Sequence, residues 1–147
     1  PVMIIAPAVA VAKAEKPVAT DYSHATYDIE RQGADVAIIA AGDFIGIGRE
    51  AAALMEQQGL NPTLINPRII SDVDAATLRD YKLVVTLEDN SIAGGMGQKI
   101  AAYLGTAPVK VKSLGLPKAF LNRYKASEVL AQQGITPEAI AALATSL

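Results

Sequence analysis

Thr86 to Gly97 reads TLEDNSIAGGMG, an acidic pair, a polar pair and three glycines between an apolar run and a helical pattern. Three chemistries suit those residue types: a phosphate cradle of glycine backbone, a catalytic loop around Glu88, or a structural turn. Gly94, Gly95 and Gly97 would let an anion approach the start of a helix, where backbone N–H groups lack helical partners. No P-loop lysine follows and the spacing is not GxGxxG, so close backbone packing against a helix or another subunit is favoured. Gly95 is expected to need either a positive φ or an unobstructed approach to a neighbouring backbone. Glu88 would suit a general base if partly buried. No nucleophile or second base lies beside it, which favours a structural carboxylate at the helix start. Arg68 would hold a phosphate or carboxylate in a bidentate fork, or pair with Glu88 or Asp89 on a neighbouring strand end; the ion pair is the expectation. His24 is read as a solvated or packed imidazole. The residues offer no complete catalytic set.

Composition narrows the field further. The chain has 147 residues, 51% of them hydrophobic, enough to bury one domain core. A formal net charge of −2 with mixed signs leaves no basic footprint for nucleic acid. Residues 1–12 carry no charge ahead of their apolar run and do not read as a signal peptide, so no membrane partner and a cytoplasmic location are expected. With no cysteine and a single histidine, neither a disulfide framework nor a metal site is expected.

The elements that must position these residues read as alternating strands and helices. Thr26–Arg31 alternates like an edge strand. Val36–Ala41 is a continuous apolar strand that ends at Gly42, and Ile47, Ala51, Leu54 and Met55 mark one face of the following helix, stopped by Gly59. Gly42 is read as the turn between the two. Thr63–Asn66 and Leu83–Leu87 are buried strands, with a short helix, Asp74–Tyr81, between them. Val109–Leu114 is a further strand, and helices near Ser127–Gln133 and Pro137–Leu147 close the chain. This order predicts an α/β fold: a three-layer α/β/α sandwich with a mostly parallel sheet of about five strands and one antiparallel edge strand. In such sheets the loops at the carboxyl ends of the strands carry the sites. Here that edge collects Gly42-Asp43-Phe44, Asn66-Pro67-Arg68, Glu88-Asp89-Asn90 and Gly94 to Gly97.

Four motifs in order, AIIAAGDF, LINPRIISDVD, VTLEDNSIAGGMGQKIA and SLGLPKAFLNRY, followed by QQGITPEAI, resemble the C-terminal domain of the 1-deoxy-D-xylulose-5-phosphate synthases of the transketolase superfamily. The resemblance implies a C-terminal domain over 25–147. It also implies that residues 1–24 are the last strand of a preceding pyrimidine-binding domain plus a linker. Where the synthases carry an R-Y-P-R-G pattern this chain has Ile5-Ala6-Pro7-Ala8-Val9, so Ala8 replaces the arginine associated with the acceptor's phosphate.

Such enzymes add pyruvate to thiamine diphosphate, release carbon dioxide and pass the two-carbon unit to an aldehyde, a step of isoprenoid biosynthesis. Thiamine diphosphate and magnesium would belong to the other domains of the full-length enzyme, with none bound by this fragment, which is expected to be inactive alone. The expected partners are the remainder of its own chain and a second copy in a homodimer. Arg68 and Glu88 match superfamily positions that order the carboxyl edge near the subunit contact. The alternatives are a non-catalytic assembly module, an anion-binding domain built on Arg68 and Gly94–Gly97, or a divergent transketolase or 2-oxo-acid dehydrogenase β-type domain.

Overall fold

The computed structural model describes residues 3, 23, 26–121 and 125–145. The expectations for the strand and linker of residues 1–24, including Ala8 and His24, lie outside the described residues apart from Met3 and Ser23. Five strands, β1 (Asp28–Arg31), β2 (Val36–Ala40), β3 (Thr63–Asn66), β4 (Leu83–Ser91) and β5 (Lys110–Leu116), form one sheet in the order β1-β3-β2-β4-β5. β1 runs antiparallel to β3, and the other pairs are parallel.

Alternation along the central strands divides the core into two layers. Val36, Ile38 and Ala40 of β2 and Leu83, Val85 and Leu87 of β4 pack with α1 (Ile45–Gln57) and α5 (Pro137–Ala144). Ala37, Ile39 and Val84 point the other way, toward Met96, Ile100 and Leu104 of α3 (Met96–Leu104) and Leu78 of α2 (Ala75–Leu78). A central parallel strand covered on both faces has no polar side to show, which is why its sequence does not alternate. A further helix, α4 (Ala126–Gln132), buries Val129. Two helix starts, those of α2 and α5, are capped locally: Asp74 accepts from Thr77 N–H at 3.2 Å, and Thr136 accepts from Ala139 N–H at 3.2 Å with Pro137 next to it.

Element boundaries depart from the sequence expectations where tertiary pairing extends or trims a pattern. α2 spans only Ala75–Leu78, with Asp74 as its cap, rather than Asp74–Tyr81. β4 continues past Leu87 through Glu88-Asp89-Asn90-Ser91, because β5 extends to Leu116 and pairs with it there after a register shift, Ser91 facing Leu116. Only Ile92–Gly95 is therefore turn, and Glu88–Ser91, read as loop, is strand.

Tyr27 enters the core immediately before β1, 6% exposed, beside Val73, Leu78 and Tyr81. Burial, joined by the carboxylates of Asp74 and Asp72, pushes its hydroxyl up to about 12 from 10.0. The folded state therefore holds this proton more tightly than the unfolded chain. Its contribution is fully present below pH 10 and is lost as pH rises through 12, an effect on the order of 2–3 kcal/mol. Urea unfolding across that interval should show a Tyr27→Phe variant losing less stability with rising pH than the parent. Parallel pH profiles for the two would count against this assignment.

Candidate functional site

The carboxyl edge is organised around the start of α3. Gly95 occupies the N-cap position with φ −74° and ψ 178°, and having no side chain it supplies no cap of its own. The cap comes instead from β4: Glu88 Oε2 accepts from Met96 N–H at 2.5 Å and Oε1 accepts from Gly97 N–H at 2.7 Å. Glu88 is 2% exposed, and among the described residues no Lys or Arg forms an ion pair with it. A carboxylate this deeply buried needs compensation, which two charge-assisted backbone bonds and the positive end of the helix provide. Gln98 adds a second local tie, its Oε1 accepting from Gly94 N–H at 2.8 Å.

The glycines of this turn serve different needs. A Cβ at Gly95 would stand 2.5 Å from Glu88 Oε2, and one at Gly97 would collide with Ser113 and Thr86 side chains. Gly95 thus needs room, but its neighbour is a carboxylate of the same domain rather than a backbone, and its φ is negative. Gly94, expected to pack closely, and Gly42, read as the turn after β2, have open space where a Cβ would project. Both instead adopt positive φ, +80° and +59°, which L side chains rarely take.

The expected pairing of Arg68 with Glu88 or Asp89 is corrected by the topology. β2 lies between β3 and β4, so the end of β3 is one strand too far from Glu88. The antiparallel neighbour β1 places Asp28 opposite Asn66, and Arg68 donates to Asp28 Oδ2 at 2.7 Å. Arg68 has φ +54°, with its N–H donated to Asn66 Oδ1 at 3.1 Å. The structure thus brings Glu88 together with Gly95 and Gly97 and leaves Arg68 in a separate cluster at the β1 side. Asp43 and Asp89 are exposed. Sequence reasoning missed Asp28, whose only signal was its place on the alternating TYDIER strand. It also missed Thr86 and Ser113, which no spacing rule connects to Gly97.

These residues do not fit a diphosphate. The two N–H groups at the head of α3 are already given to Glu88, whose carboxylate fills the space beside Gly95 and would repel a second anion. Among the described residues no group of three or more His, Cys, Asp or Glu is placed to hold a metal ion. No helix among them is long and apolar enough to cross a membrane.

Fold and edge together define a three-layer α/β domain whose carboxyl edge is closed by its own side chains. The chain belongs to the transketolase C-terminal domain family, which it matches over residues 25–140. It is 40% identical over 119 residues to 1-deoxy-D-xylulose-5-phosphate synthase 2 of Kitasatospora griseola, covering 78% of this chain and 19% of that protein. It is 37% identical over 118 residues to the 1-deoxy-D-xylulose-5-phosphate synthase of Nocardia farcinica, covering 77% of this chain and 19% of that protein. The chain therefore spans about a fifth of the length of these curated relatives. Among solved structures it is similar to a split gene transketolase described as an inactive beta4 tetramer, with TM-score 0.73, 25% identity and coverage of 82% of this chain and 41% of that one. A Pichia stipitis transketolase shares the fold, with TM-score 0.56, 18% identity and coverage of 82% of this chain and 17% of that one.

Removing the cap should be costly. Glu88→Ala strands two buried N–H donors and is expected to destabilise the domain by about 3 kcal/mol or more in urea unfolding, with Glu88→Gln costing less because it keeps the volume and one acceptor. Gly95→Ala should cost about 1–3 kcal/mol by crowding the carboxylate, and much less in the Glu88→Ala background. Additive costs in that cycle would show that the Gly95 contact with Glu88 is not the cause.

Proposed function

We propose that this chain is the C-terminal supporting and dimer-contact domain of a thiamine-diphosphate-dependent transferase of the 1-deoxy-D-xylulose-5-phosphate synthase type. The full-length enzyme condenses a two-carbon unit, left when pyruvate loses carbon dioxide, with an aldehyde. The identity shared with the curated synthases supports the reaction class. The observation that carries the supporting role is the capture of the α3 N-terminus by Glu88. The one helix start on this edge that resembled an anion site is spent on holding the domain together, so thiamine diphosphate and magnesium are bound elsewhere in the full-length protein. That enzyme acts in the cytoplasm.

The contact surface belongs to a second copy. Phe120, fully exposed on the segment after β5, and Ile70, 45% exposed on the loop after β3, are large apolar side chains left uncovered at the carboxyl ends of their strands.

Three measurements test this reading. Isothermal calorimetry of the 147-residue chain with thiamine diphosphate and magnesium should give no saturable heat, and the chain should not consume pyruvate. Micromolar binding would overturn the supporting role. In the full-length protein Phe120→Ser should weaken self-association by about tenfold or more in sedimentation, equivalent to about 1.4 kcal/mol, with its thermal unfolding intact. Association at parental strength would remove Phe120 from the contact.

A further inference from the structure

β1 is attached unlike the other strands. None of its residues is fully buried, and its pairing with β3 shifts register between Ile29 and Arg31. Three of its four side chains are charged, and each of the three has a partner on another element. Asp28 meets Arg68 on the loop after β3 at 2.7 Å. Glu30 takes a two-pronged contact from Arg49 of α1, at 2.9 Å from Nε and 3.0 Å from a terminal nitrogen. Arg31 pairs with Glu56 near the other end of α1. Tyr27 and Ile29 supply its apolar hold on the core. Arg68, among the described residues, is the one non-glycine residue with positive φ. Such a backbone is strained and persists where surrounding contacts fix it, here Asn66 on the N–H and Asp28 on the guanidinium.

We propose that β1 is an ionically fastened strap that fixes the direction in which the chain arrives at this domain. Arg68 is its positioning residue: acting through Asp28, it holds the first residue of the strap, while Arg49 and Glu56 hold the last two. The proposal rests on reading this chain as a supporting domain of a longer enzyme, for which the direction of the preceding polypeptide sets where the domain sits. The Arg49–Glu30 and Arg31–Glu56 pairs are the more open to solvent and are screened by salt, the half-buried Arg68–Asp28 pair less so, whereas the burial that holds β2 and β4 is not screened. The strap therefore loosens before the sheet does.

The test uses amide hydrogen exchange on the full-length protein. Amides 28–31 should exchange about tenfold faster or more in Asp28→Asn, and in the parent at about 1 M salt, with β2 and β4 unchanged. The charge swap D28R/R68D should restore protection, since Asp tolerates the left-handed conformation at position 68. Arg68→Gly relieves the strain while removing the guanidinium, so it should resemble Asp28→Asn. Better protection than the parent would show that strain relief outweighs the ion pair and would overturn the clamp.

Nitroxides placed at positions 26 and 103 report the direction of arrival directly, Thr26 lying just before β1 and Tyr103 being 56% exposed. One narrow distance in the parent should broaden in Asp28→Asn and narrow again in the swap. A broad parental distribution, or β1 protection unaffected by salt and by Asp28→Asn, would overturn the proposal. Failure of the supporting-domain reading is distinguishable, because it appears as thiamine diphosphate binding to the isolated chain and leaves the exchange result untouched.

Discussion

A carboxylate taken out of water must be compensated, and in this domain the compensation for Glu88 comes from backbone rather than from a cation. Two N–H groups at the head of α3 and the dipole behind them meet both oxygens of a side chain that β4 delivers from the middle of the sheet. Much of the carboxyl edge follows from this contact. α3 can start only where Glu88 reaches it, Gly95 must lack a Cβ because the carboxylate occupies that space, and Gly97 must lack one because the sheet surface of Thr86 and Ser113 lies directly below. The interaction joins strand to helix, so the two cannot move independently without stranding a charge.

The same contact decides the chemistry of the edge. In open α/β sheets the carboxyl ends of the strands and the helix starts above them form a ready anion site. Here the site is built and then filled from within. A glycine-rich turn after a buried strand is therefore compatible with two opposite outcomes, and the difference lies in one acidic residue seven positions before Gly95. At the β1 edge of the sheet the strand is held by partly exposed ion pairs, so the domain combines an interior joint with a fastening of different physical character.

Local patterns made much of the architecture readable. Uninterrupted branched apolar runs identified β2, β3 and the first half of β4, since only strands covered on both faces dispense with polar positions. The alternation of TYDIER marked β1 as an edge, and the order of strands and helices implied the layered, mostly parallel sheet. The distal half of β4 was unreadable for an equally physical reason. Glu-Asp-Asn-Ser has weak strand propensity, and it is strand only because β5 runs alongside it as far as Leu116.

What the sequence by itself determined was the set of elements, the family, and the glycines and acidic residue that had to meet near the head of α3, because each is encoded by residue type and spacing within a few positions. Only the tertiary structure decided who meets whom across strands. Arg68 found Asp28 instead of Glu88, because the strand order inserts β2 between β3 and β4, and strand order is set by how whole faces pack, not by any short run of residues. The need for room at Gly97 likewise arises from two side chains on different strands, and contacts between residues distant in sequence leave no periodicity to read.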